Sequence, residues 1–213
     1  MIRQVNPKIR YFQPCTSNMF GLTSTAVQNE STPFNPQSPY ACAKTFAYYL
    51  TRYYRQAFGI FASSAILYNH ESPRRTPEYV TRKITQAVAR ISLGKQKKLV
   101  LGDLSARIDW GYSKEFMEAA WQILQLDKPD DFVIATGEAH SVKEWVEEAF
   151  AVVNFKPDKY LVVDAKLIRP TKTSSLVGDI TKAMKVFGFK PKVKFKALVE
   201  LMVKADLEKE KIG

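Results

Sequence analysis

The chain has 213 residues, 46% hydrophobic and 12% aromatic, a globular composition that excludes global disorder and suffices for one large domain or a domain with a small extension. The formal charge is +11, and residues 152–213 hold 14 Lys/Arg against 7 Asp/Glu, so the excess sits mainly in the C-terminal third. Nine glycines, no two closer than eight positions, exclude both a Gly-x-Gly-x-x-Gly fingerprint and a P-loop.

In chain order, residues 1–8 resemble the tail of a helix closed by Asn6-Pro7. Ile9–Gln13 reads as a short strand with little polar alternation, the pattern of a strand buried in a parallel sheet. A loop rich in Thr, Ser, Asn and Pro covers 17–38. Ser38 can cap a helix, Pro39 fits its first turn, and Gly59 fits the position just past its end near Phe58. A strand over 60–69 leads to a polar turn, His70 to Pro77. Then come a helix over about 79–93, a strand near 97–104, a helix from Ser113, a strand over 131–136 and a helix capped by Ser141. The Lys-rich end carries a short helix near Thr181–Phe187 and an amphipathic helix over about 195–210. Strands alternating with helices predict an α/β fold. Residues 154–158 look linker-like, but no internal boundary is assigned within 1–213.

Cys15 and Cys42 lack metal-ligand spacing, and His70 and His140 lie far apart, so no zinc site is expected and a reducing compartment fits. No leader-like apolar region follows Met1, and no stretch approaches the roughly 20 apolar residues of a membrane span. The expectation is a cytoplasmic protein without a membrane partner. The basic excess reads as a solvated face. It lacks the interleaved aromatics on which single-strand binders stack bases, so no nucleic-acid partner is expected.

Tyr40 and Lys44 stand four apart on the Ser38-capped helix and so share one face. An ammonium beside a phenol favours the phenolate, and a tyrosine so tuned can exchange a proton with a substrate hydroxyl. Thr16 and Ser17 follow the first strand, in the place where α/β sheets bind ligands, and the threonine hydroxyl could bond the reacting oxygen. Tyr-x-x-x-Lys alone also occurs by chance in helices; the Thr-Ser loop and the Pro-Tyr helix start add specificity.

The strings Cys15–Gly21, Ser38–Lys44, Tyr68–Arg75, Val80–Ile91, Asp109–Trp121, Asp130–Trp145 and Ile168–Lys172, in this order, resemble the GDP-mannose 4,6-dehydratases, extended short-chain dehydrogenase/reductases. That resemblance implies later strands of a Rossmann-type parallel sheet plus a smaller substrate-binding α/β lobe. It also implies NADP as cofactor and GDP-mannose as substrate: oxidation at C4, loss of water across C5–C6, return of hydride to C6. Residue by residue, Thr16, Tyr40 and Lys44 match the catalytic positions, Tyr40 as the C4-hydroxyl base. Lys44 with Tyr40, His70 and Arg75 match cofactor contacts. Ser17, Asn69, Arg82 and Arg169 match the sugar-nucleotide side. His70 as a turn histidine and Arg82 as a helix-surface charge are the bland alternatives.

The chain departs from that family in four ways. Asn18 stands where the family has the glutamate that removes the C5 proton, and an amide cannot serve as that base. Ile108 replaces an arginine before Asp109-Trp110. Residues 171–174 replace an acidic pattern after Arg169-Pro170 with Thr-Lys-Thr-Ser. The glycine-rich strand–helix start has no counterpart, so the sequence reads as a C-terminal portion. The expectation is a dehydratase-like chain, impaired or inactive by itself. The rivals are a split sugar-nucleotide oxidoreductase and a non-catalytic piece docking on an intact dehydratase subunit, with a homo-oligomer also foreseen.

Overall fold

The computed structural model describes residues 2–167 and 175–212. After a four-residue helix, α1 (Ile2–Val5), strand β1 (Tyr11–Thr16) runs parallel to β2 (Ala62–Leu67), which runs parallel to β6 (Asp131–Ile134). Their register aligns Thr16, Leu67 and Ile134 in one row at the carboxyl edge. Helix α2 (Pro39–Phe58) connects β1 to β2. The Ser38 hydroxyl accepts from Ala41 N–H at its start, and Gly59, at φ 62°, ends it with its N–H on Arg55 O.

Beyond Leu67 the chain leaves this sheet. β3 (Asn69–Glu71) pairs in parallel with β5 (Arg107–Tyr112), and β5 pairs antiparallel with β7 (Ala139–Ser141). A third, two-stranded sheet joins β4 (Leu99–Leu101) to β8 (Leu161–Val163). The remaining helices are α3 (Val80–Ser92), α4 (Ser113–Ile123), α5 (Val142–Val152), α6 (Thr181–Phe187) and α7 (Phe195–Ile212).

Two cores result. One packs Met19, Phe20, Tyr48, Ile66, Phe116 and Phe132 around β1–β2–β6 with α2, α4 and α6. The other packs Ile84, Val88, Trp110, Trp145, Phe150, Leu198 and Met202 among α3, α5 and α7. Each such side chain, fully buried, contributes about 1.5–3 kcal/mol.

The expected strand at Ile9–Gln13 is found two to three residues later, and it is an edge strand, exposed or half-buried until Cys15 and Thr16. Its apolar character reads as burial on both sides, yet one side has no strand among the described residues. The polar turn expected from His70 begins instead as β3, because the backbone of 69–71 finds a ladder on Trp110–Tyr112. No helix of the described residues is long and apolar enough to cross a membrane.

Candidate active site

Thr16 ends β1 and caps a short 3₁₀ turn, Ser17–Met19. Its hydroxyl accepts from Asn18 N–H at 3.3 Å, which leaves the hydroxyl proton available to a ligand oxygen. Thr16 and Ser17 are buried, whereas Asn18 turns outward between buried neighbours. Tyr40 and Lys44 stand on the first turns of α2. Lys44 Nζ donates to Pro14 O at 2.8 Å, two residues before Thr16, and lies 5.8 Å from the Tyr40 ring centre. Tyr40 is 54% exposed. The structure therefore brings Thr16, Tyr40 and Lys44 to the same carboxyl-edge neighbourhood, with Lys44 as the tie between helix and strand.

Asn69 and His70 follow the end of β2 at this edge. His70 Nδ1–H donates to Tyr68 O at 2.9 Å, and the ring stacks on Phe116 with centroids 5.2 Å apart. A carbonyl can only accept, so the second ring nitrogen keeps its lone pair. Burial, aided by the charge of Arg75, lowers the His70 pKa and favours the neutral ring. The turn-histidine alternative is replaced by a strand residue with a fixed tautomer. Arg75 lies 3.4 Å over the Tyr79 ring centre, with Nε 3.4 Å from Glu71 Oε2. Glu71 is buried, accepts from Thr81 Oγ1 at 2.9 Å, and has its pKa raised by that burial.

Arg82 is not a helix-surface charge. It is 3% exposed and paired with Asp206 of α7, whose other oxygen accepts from Thr85 Oγ1 at 2.7 Å. The structure thus seats Arg82 in the α3–α7 interface. Ile108 packs at the margin of the second core, while Arg107 on the next strand position reaches the surface to Ala139 O and Glu144. Strand alternation keeps Arg107 from pointing where Ile108 does. Arg169 and residues 171–174 lie outside the described residues.

One structural residue escapes motif reading. Asp109, 1% exposed, accepts from Thr136 N–H and Oγ1–H, Gly137 N–H and Gly178 N–H, at 2.9, 2.6, 3.0 and 3.3 Å. It clamps β5 to the loop after β6 and to the segment that pairs with Gln28 of the 17–38 loop. The segment comes this close because position 178 is glycine: a Cβ there would sit 2.3 Å from Ala135 Cβ. The only sequence signal is an acid set between Ile108 and Trp110, an uncommon neighbourhood for a carboxylate.

Residues 1–202 match the family model described as GDP-mannose 4,6 dehydratase. GDP-mannose 4,6 dehydratase 1 of Arabidopsis thaliana is 48% identical over 200 residues, covering 94% of this chain and 55% of the relative. The Homo sapiens GDP-mannose 4,6 dehydratase is 44% identical over 217 residues, covering 94% and 58%. The chain therefore spans little more than half the length of these curated relatives. Among solved structures, RMD from Pseudomonas aeruginosa complexed with NADPH superposes with a TM-score of 0.86 at 17% identity, covering 95% of this chain and 68% of that one. A dTDP-glucose 4,6-dehydratase from Bacillus anthracis in complex with NAD gives 0.85 at 21% identity, covering 99% and 65%. These two likenesses establish the Rossmann-like fold, and the family-model match with the relatives establishes descent: this chain belongs to the GDP-mannose 4,6 dehydratase family.

Proposed function

We propose that this chain is the substrate-side portion of a GDP-mannose 4,6-dehydratase, built to act on the mannose C4 hydroxyl of GDP-mannose and impaired in the elimination that follows. What supports the reading most is the Lys44–Pro14 hydrogen bond, which ties the Tyr40/Lys44 helix to the strand carrying Thr16. Tyr40 would take the C4 hydroxyl proton. Thr16 would donate its free hydroxyl proton to the same oxygen, and Lys44 puts a positive charge beside the phenol ring. A bound nicotinamide, NADP by family resemblance, would supply the hydride acceptor. Tyr40 and Lys44 would hold its nicotinamide-ribose side, and His70 and Arg75 match the family's further cofactor contacts. The scattered glycines offer no cradle for its pyrophosphate, so that part of the site is not built from this chain. Ser17 and Asn69 line the edge where the sugar-nucleotide would lie; Arg82 and Arg169 are the family's further positions for it.

Impairment rests on Asn18. Removing the C5 proton needs a base, and loss of one typically costs about 10²–10⁴ in rate. The test is an assay of the chain with GDP-mannose and NADP, with and without a separately supplied cofactor-binding half from a relative. It follows reduced nicotinamide and exchange of the C5 hydrogen with heavy water. The reading expects C4 oxidation without C5 exchange, and recovery of exchange in N18E. Full dehydration by the unaltered chain would sink the impairment. Absence of both steps in the N18E chain bearing its cofactor half would sink the catalytic reading.

A second reading, a subunit that docks on an intact dehydratase or on its own copy, is favoured by the surface of α2. Phe46, Tyr49, Leu50, Tyr53 and Tyr54 are 67, 54, 42, 56 and 41% exposed along one helix. Co-purification with an intact relative, or a dimer lost in F46E/Y53E, would support it.

A further inference from the structure

Ser72 to Tyr79 form the loop between β3 and α3, and two adjacent arginines stand in it. The structure treats them differently. Arg74 is exposed, and its side chain makes no hydrogen bond or ion pair among the described residues. Arg75 sits on a turn closed by its own N–H on Ser72 O at 2.9 Å, and its side chain is held on two sides. Tyr79 covers one face of the guanidinium, whose carbon lies 3.4 Å from the ring centre, and Glu71 Oε2 lies 3.4 Å from Nε. Nε is shut off from solvent and has no partner in hydrogen-bond geometry, so the tie to Glu71 is one of charge. The two Nη atoms make no hydrogen bond among the described residues.

Glu71 is the rigid member of this pair. It ends β3 opposite Tyr112 of β5, is 2% exposed, and its Oε2 also accepts from Thr81 Oγ1 of α3 at 2.9 Å. A carboxylate withdrawn from water is a cost to the fold, and burial raises the Glu71 pKa accordingly. Stability is therefore a poor reason for a charge here. Direction is a better one. An arginine side chain left to itself has large rotamer freedom. With one edge on Glu71 and one face on Tyr79, the guanidinium is fixed while its Nη fork stays uncommitted. Such a fork matches two oxygens of a phosphate.

We infer that Glu71 is a positioning residue for Arg75: from the strand and helix it joins, it fixes the guanidinium so that the Nη fork is presented to a phosphate group of the ligand. The ligand part rests on the proposed reading of Arg75 as a cofactor contact; the aiming of Arg75 by Glu71 does not. Glu71 acts through Arg75, so its effect on binding vanishes once Arg75 is gone. Glutamine at position 71 keeps an acceptor for Thr81 and removes only the charge, so the fold does not weaken by it.

Nitrogen-15 NMR on the full 213-residue chain tests both parts, with E71Q, R75M, E71Q/R75M and R74M as variants. In the parent, the Arg75 Nε–H should exchange with water at least roughly tenfold more slowly than that of Arg74. E71Q should bring the two rates together while the urea midpoint stays at or above the parent's. An Arg75 Nε–H as protected in E71Q as in the parent would overturn the aiming. So would an E71Q chain that no longer folds, since Glu71 would then be holding the scaffold. Inorganic pyrophosphate, titrated into the same samples and read at the Tyr79 amide, should bind the parent and R74M alike and E71Q about fivefold more weakly. The double variant should bind it no more weakly than R75M. Equal or tighter binding by E71Q, or a further loss in the double variant, would overturn the proposal. No response of Arg75 to pyrophosphate in the parent would overturn the reading of Arg75 as a phosphate contact, and the exchange rates would still decide whether Glu71 aims it.

Discussion

Two places in the molecule handle charge in opposite ways. In the lobe built from α3, α5 and α7, Arg82 and Asp206 are withdrawn from water and given to each other. At the carboxyl edge of β1–β2–β6, Tyr40 stays open, Lys44 spends its charge on one carbonyl, and His70 offers a free ring nitrogen. A buried pair is sensitive to loss of either member, because the survivor is left charged in a dry place. An open side chain is replaceable at little structural cost. The Arg82–Asp206 pair is therefore sensitive to substitution, and the carboxyl edge is where groups remain available to a ligand.

The contrast breaks most sharply at Asp206. D206A should destabilise the chain by about 4 kcal/mol in urea unfolding, since it strands Arg82. R82M/D206L should recover most of that loss, because the penalty comes from the unpaired charge and not from the missing contact. If D206A unfolds like the parent, the lobe does not depend on this pair. Next is Asp109, the clamp between β5 and the loop after β6. D109N keeps the shape but faces an NH₂ toward donors, and should cost about 3 kcal/mol. It should also loosen amide protection at Gly137 and Gly178, while the Arg82 pair stays intact.

His70 sharpens the comparison through pH. Its folded pKa is lowered below the ordinary value near 6.5, so the unfolded chain takes up more protons in the window just below that value. Stability is full at neutral pH and falls as pH drops through that window. H70F keeps a ring on Phe116 and should flatten this part of the profile, measured as the urea midpoint between about pH 7 and pH 5.

Legibility divides along the same line. Helix ends were readable because local chemistry sets them: Ser38 and Gly59 close α2, and Ser141 with Glu144 forms a capping box on α5. The grouping of Thr16, Tyr40 and Lys44 was readable because it rests on one strand end and one helix turn. β5 and β7 were not readable. Arg107–Tyr112 is made a strand by β3 and β7, residues about 30 to 40 positions away, and no local periodicity announces that. Arg82 was misread as a surface charge in one alternative, because its partner lies 124 residues further on.

The smallest structural effect belongs to Tyr40, and it isolates chemistry from fold. The residue is 54% exposed, and its ring contacts Lys44 only at 5.8 Å. Y40F should leave the urea midpoint within about 0.5 kcal/mol of the parent. With a cofactor-binding half supplied, the same substitution should slow C4 oxidation by about 10²–10⁴, because the phenol oxygen alone is lost. Equal loss of stability and activity would place Tyr40 in the scaffold and remove it from the reaction. Unchanged stability with unchanged oxidation would remove it from both. Only a rate that falls while the fold holds puts the proton on Tyr40, and Y40F reads both quantities on one preparation.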